Sequence, residues 1–200
     1  MTRTKDGLQG IGYGGVEVGA GEGSGDREKL EDSLRRLKTE AQGLKGRVAA
    51  AIPSEQVLLR VLNLPPAEED ELGGMVRLQV DKFSPFPVDT MVVAHEVLAR
   101  REEELVVLAA AVRQATVEGE RELLQSAGLS PDRVDVTGLG WWRLLKDQGA
   151  VGAAGRQVLL ISDRGMAEMI VVQDGVPILF RAVSGDYAAR LDPLEIAGEV

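Results

Sequence analysis

The sequence predicts a layered α/β (α+β) domain, and three observations carry that prediction. Aliphatic runs with strand character, such as VLLRVLNLP at 57–65 and LVVLAAAV at 105–112, alternate with stretches whose apolar residues recur at helical spacing. The run LLISDRGMAEMIVVQDGVPILFRAV, from Leu159 to Val183, breaks at two turn signals and reads as a three-stranded meander. The chain of 200 residues, 44% of them hydrophobic, is long enough to bury a real core in one or two compact domains.

The elements follow in order. Residues 7–25 are glycine-rich and contain a literal G-x-G-x-x-G at Gly10, Gly12 and Gly15. That dinucleotide fingerprint works only when a buried strand delivers the glycines to a helix N-terminus. MTRTKD before it and VEVGAGEGSG after it supply neither, so a short glycine-loosened strand and a loop are expected instead. A helix begins near Ser24 or Asp26, carries Leu30, Leu34, Leu37 and Ala41 on one stripe, and has Gly43 placed to end it. VAAAIP (48–53) reads as a buried strand, and the strand at 57–65 stops at Pro65-Pro66.

A second helix spans Ala67 to Phe83, with Leu72, Val76, Val80 and Phe83 aligned. Gly73 and Gly74 each cost it about 1 kcal/mol relative to alanine, so it depends on packing. FSPFP (83–87) forces an extended corner, because each proline fixes its own φ and restricts its predecessor. MVVAHEVLA (91–99) and LVVLAAAV (105–112) are strands joined by the charged turn RREEE, the second apolar enough to be covered on both faces. A helix from Thr116 to Ala127 closes at Gly128, RVDV (133–136) is a short strand, and GLGWWRLLKD (138–147) a helix. In the meander, Asp174-Gly175 favours a two-residue type I′ turn. Asp192-Pro193-Leu194-Glu195 then has a cap acid, proline at the first helical position and glutamate in the capping-box place. A helix so well started and so short at Val200 gives the expectation that the chain is part of a longer protein.

Composition excludes several functions. A net charge of −9 argues against a nucleic-acid footprint and against direct adsorption to anionic lipid. Without cysteine there are no disulfides or thiolate metal sites. The start, MTRTKDGLQG, lacks the apolar core of a signal peptide, and no run approaches the roughly 18 apolar residues of a membrane span. A cytoplasmic, soluble protein is expected, with any membrane link made through a partner.

Candidate chemistry is sparse. The single histidine, His95, lies within a strand, where packing is the ordinary role, and it has no second histidine for a zinc set. No G-x-S-x-G elbow or G-x-x-x-x-G-K-[ST] loop is present, and the carboxylates fall mostly on solvated helix faces. Trp141 and Trp142, adjacent on a helix, point about 100° apart, so one packs inward and the other is free to cover a neighbour or a partner. The turn at Asp163-Arg164-Gly165 has the parts of a phosphate-holding loop: a glycine for close backbone approach and an acid that could orient magnesium through water.

The ordered series VAAAIPSEQVLLRVLNLP, DKFSPFPVDTMVVAHEVL and ELVVLAAAVRQATVEGERELLQSAGLSPDRVDV, followed by the meander, resembles the PilM and GspL-like proteins over about residues 44–183. These are actin-like assembly proteins of type IV pili and type II secretion systems. The matching pattern is a strand ending in proline, the R-x-L-x-LP strand at Arg60 to Pro65, a helix ending in a Pro-Phe-Pro corner, an aliphatic strand, the A-G-L end at Ala127 to Leu129 and a V-D strand.

The resemblance implies an actin-like ATPase (ribonuclease H-like) fold. Residues 1–57 and 116–155 would form the first lobe, 58–115 an inserted small α/β subdomain, and 156–200 the truncated start of a second lobe. The first turn of the meander would be the family's second phosphate loop, an Asp-x-Gly-x-x-Thr type pattern. Asp163 and Gly165 match it, and Arg164 lies between them. Glu168 stands where the hydroxyl is expected, and a carboxylate there would repel phosphate, partly offset by Arg164. The opposing N-terminal phosphate hairpin is not matched.

The implied function is that of a non-catalytic cytoplasmic scaffold at the inner face of the inner membrane. It would dock on a PilN-like tail or an assembly ATPase, with no resident cofactor; ATP and magnesium belong to an intact homologue. Two alternatives stand beside it: an ATP-binding or phosphotransferase member of the same fold group, and a fragment without an independent role.

Overall fold

The computed structural model describes residues 2–4, 7–9, 24–40, 47–163 and 166–184. The chain divides into two compact units, Met1–Ala51 with Ala115–Asp135, and Ile52–Gln114 with Val136–Val200.

In the first unit, β1 (Thr2–Thr4) and β2 (Gly7–Gln9) pair antiparallel with Arg3 opposite Leu8. The rest of the glycine-rich segment, and the expected stop at Gly43, lie outside the described residues. Helix α1 (Ser24–Glu40) starts where the sequence places it, and Lys38 in its last turn donates to the Gly128 carbonyl at 2.8 Å. Gly128 ends α3 (Gln114–Ser126) with φ of 72°. Its N–H donates to the Gln125 carbonyl and that of Leu129 to the Leu124 carbonyl, both at 2.8 Å, which is the Schellman pattern that makes glycine the natural residue there.

Strand β3 (Val48–Ile52) pairs with β7 (Pro131–Val136). The expectation of a buried strand at 48–53 is corrected: Ala49 and Ala51 are exposed, Val48 and Ala50 half-buried, and only Ile52 is buried. A two-stranded sheet leaves one face open, and an all-apolar sequence cannot reveal that alternation. Strand β7 also begins two residues earlier than expected, admitting proline as its first residue.

The second unit holds two three-stranded antiparallel sheets. The first has the order β4-β6-β5, from β4 (Leu58–Leu64), β5 (Met91–Arg100) and β6 (Leu105–Arg113). As the central strand, β6 is buried almost throughout. Helix α2 (Glu69–Phe83) buries Leu72, Val76 and Val80 completely, in one cluster with Leu64, Leu105 and Val107. It begins two residues later than Ala67, after extended backbone at its cap residue Glu68. Ser84 and a single 3₁₀ turn at Val88–Thr90 shape the proline corner, the Ser84 hydroxyl donating to the Phe86 carbonyl at 2.8 Å.

The second sheet is the meander, order β10-β9-β8, from β8 (Arg156–Asp163), β9 (Met166–Gln173) and β10 (Val176–Ser184). Asp174 and Gly175 have φ of 51° and 75°, the two positive values that a type I′ turn requires. Helix α4 (Thr137–Asp147) buries Trp142 to 4% exposure, its ring edge-on to Phe180 at 6.4 Å, while Trp141 stays 36% exposed. The helix expected at Asp192 lies outside the described residues.

Candidate functional site

Strand β9 is hydrogen-bonded on both sides, and its residues from Ala167 to Val172 are all buried. Glu168 is paired with Ile161 of β8 and Ala182 of β10, so these three share one face of the sheet. Two residues along on that face come Ile170, Leu159 and Phe180, and Phe180 meets Trp142. Glu168 is thus a carboxyl inserted into an aliphatic row, 7% exposed.

Its surroundings come from distant parts of the chain. Proline at position 53 ends β3 and turns the backbone into the 3₁₀ turn Ser54–Gln56. This sets the buried Ser54 hydroxyl at the first turn of α4, where it accepts from the Gly138 N–H at 2.9 Å and hydrogen-bonds to the Glu168 carboxylate. Thr137 anchors the same turn by donating its hydroxyl to the Ile52 carbonyl at 3.2 Å. Gly138 has no room for a side chain, since a Cβ there would lie 2.4 Å from Glu168 Oε2 and 2.9 Å from Ser54 Oγ. The other carboxylate oxygen, Oε1, is buried with no hydrogen-bond partner. Burial is the main force raising the Glu168 pKa above the ordinary carboxylate value; the Ser54 hydrogen bond opposes it, and the negative charge of Glu55 adds to it.

Glu168 and Ser54 line a cavity of about 430 Å³ together with Ile170, Phe180, Arg60 and Phe83. The Arg60 guanidinium lies over the Phe83 ring, 4.7 Å from its centroid. Glu55 and Arg181 line the same cavity, so two carboxyl groups and two guanidinium groups share it, and among the described residues no three acidic or histidine side chains gather to hold a metal. The lining thus combines a buried carboxyl, an apolar wall and two arginines, Arg60 and Arg181.

Of the residues singled out in the sequence, Asp163 closes β8 with its backbone paired to Met166, while Arg164 and Gly165 lie outside the described residues. Glu168 lines the cavity, as does Arg60 of the R-x-L-x-LP strand. His95 sits in β5 beside Gly73, where a Cβ would come 3.9 Å from its ring. Sequence reasoning missed Ser54 and Gly138. The signal for the first was a small hydroxyl just after a strand-ending proline, and for the second a glycine two residues after the V-D strand, behind Thr137.

Comparison with known proteins bears on the family and the fold. The family described as type IV pilus assembly protein PilM matches residues 17–181. The solved PilM-PilN type IV pilus biogenesis complex is similar at 24% identity and a TM-score of 0.68, covering 85% of this chain and 55% of that one. The cytoplasmic domain of EpsL, an inner-membrane component of the type II secretion system of Vibrio cholerae, is similar at 16% identity and a TM-score of 0.53, covering 80% and 59%. The chain therefore spans a little over half the length of these structures and shares their fold, as the resemblance to PilM and GspL-like proteins led one to expect. No helix among the described residues is long and apolar enough to cross a membrane. With most of its length matched, this chain belongs to the PilM family of type IV pilus assembly proteins.

Proposed function

We propose that this chain is a cytoplasmic scaffold of a type IV pilus or type II secretion assembly platform, held at the inner face of the inner membrane by its partners. It acts by protein–protein interaction, with a PilN-like cytoplasmic tail or an assembly ATPase as partner, and not by catalysis. Residues 58–115 serve as the inserted subdomain, and the meander opens the second lobe.

The observation that carries this reading is the buried Glu168, which the sequence resemblance aligns with the hydroxyl position of the family's second phosphate loop. In place of that hydroxyl the chain has a buried carboxyl packed against Ser54 and Gly138, which leaves no hydroxyl there to donate to a phosphate. The family's name and the similar PilM-PilN complex support the partner class.

Calorimetric titration tests both halves. The chain is expected to bind a peptide from the cytoplasmic tail of a PilN-like protein, and to show no heat with magnesium-ATP. Micromolar ATP binding abolished by Asp163→Ala would establish the nucleotide-binding alternative in its place.

A further inference from the structure

We propose that Glu168 is a proton-operated clasp on the junction of β9, the Ser54 turn and the first turn of α4. As a neutral acid it closes that junction, and as a carboxylate it lets water in. The device belongs to the fold and does not rest on the scaffold reading.

The geometry favours the neutral form. Glu168 is more than nine-tenths buried, with Ile161 and Ala182 beside it, and its Oε1 meets no donor. The charged groups on the surrounding elements do not supply one. On the Ser54 turn stands Glu55, whose negative charge opposes ionisation. Arg181 of β10 is paired with Met169, one residue out of phase with the Ala182–Glu168 pair, so its side chain leaves the meander on the opposite face. Arg60 of β4 lies over the Phe83 ring. On α4, Arg143 is bridged to Glu96 at 2.8 Å and Lys146 lies over Trp142. A carboxylate in this place therefore needs water at Oε1, because a buried charge without a partner is costly.

The way in for that water is also set. Strand β9 is hydrogen-bonded to both neighbours, so the parts left to move are the covers, Ser54 and Gly138. A Cβ on Gly138 would come 2.4 Å from Oε2, so the bare backbone of α4 lies against the carboxyl. The Ser54 hydroxyl links the two, accepting from the Gly138 N–H at 2.9 Å and bonding to Glu168. Ionisation thus acts on the seam between β9 and α4. Farther along the helix, Trp142 stands edge-on to Phe180, which shares the Glu168 face of the meander, so its indole registers any parting. Burial raises the carboxyl pKa, and the seam opens as pH rises through the raised value.

The test uses the full chain carrying Trp141→Phe, which leaves Trp142 as its indole. Acrylamide quenching of Trp142 is expected to rise severalfold in a single-proton step as pH increases, while far-ultraviolet circular dichroism stays that of the folded chain. The carbon-13 resonance of the Glu168 carboxyl should titrate in the same step, above the range of the exposed glutamates. Glu168→Gln, neutral and of the same shape, should hold quenching at its low-pH level throughout. The proposal is overturned if Glu168 titrates with the exposed glutamates, if quenching stays flat while the carboxyl titrates, or if the step survives in Glu168→Gln. Should that variant fold poorly, the chain that keeps Glu168 decides by itself: quenching and carboxyl steps at different pH overturn the clasp.

Discussion

The two sheets of the second unit are built alike and finished differently. Each has three antiparallel strands with a buried central one, β6 in the first and β9 in the meander. The first sheet seals its core with the Leu72, Val76 and Val80 stripe of α2, and every buried side chain in that cluster is apolar. The meander interrupts an equally apolar strand with Glu168, and Gly138 and Ser54 are fitted around it. A core that only has to hold together contains no unpaired charge, because burying one is costly. The sheet that tolerates such a group is the one to examine for recognition, and the other is its frame.

The largest expected effect tests the frame. Leu72→Ala removes a fully buried side chain between α2 and its sheet and should cost about 2–5 kcal/mol. Chemical denaturation measures it, and a loss below about 1 kcal/mol would show that α2 is not what closes this core.

A smaller effect probes the fitted side. Gly138→Ala drives a Cβ into the Glu168 carboxylate and the Ser54 hydroxyl, and should destabilise by about 1–3 kcal/mol. Glu168→Ala in the same chain should recover most of that loss. A double-mutant cycle with no coupling would mean the carboxylate is not what excludes the side chain.

The third effect is a slope more than a size. Because the folded state raises the Glu168 pKa, the folded chain keeps this proton at pH values where the unfolded chain has released it. Stability therefore falls as pH rises from the ordinary carboxylate value through the raised one. Glu168→Gln should flatten that decline, read as melting temperature against pH, and an unchanged profile would place the titration elsewhere.

What the sequence made legible was local. Asp174-Gly175 declared its turn, Gly128 its helix end, Pro65-Pro66 the close of β4, and the i, i+4 spacing of Leu72, Val76 and Val80 the covered face of α2. In each case a few neighbouring residues fix the backbone or the buried stripe. The site was legible only in part. Glu168 stood out by its place in the strand order, but its confinement depends on Ser54, 114 positions earlier, and on Gly138 in another helix. The openness of β3 was hidden for a related reason, since alanine and valine read the same whether a neighbouring layer covers them or not.

The central position of β9 has a further consequence. Both edges of that strand are laced to neighbours and its side chains are packed in, so Glu168 is mounted on the stiffest part of its sheet. It cannot swing outward to relieve its unpaired oxygen, so relief comes in place, by the proton that burial favours.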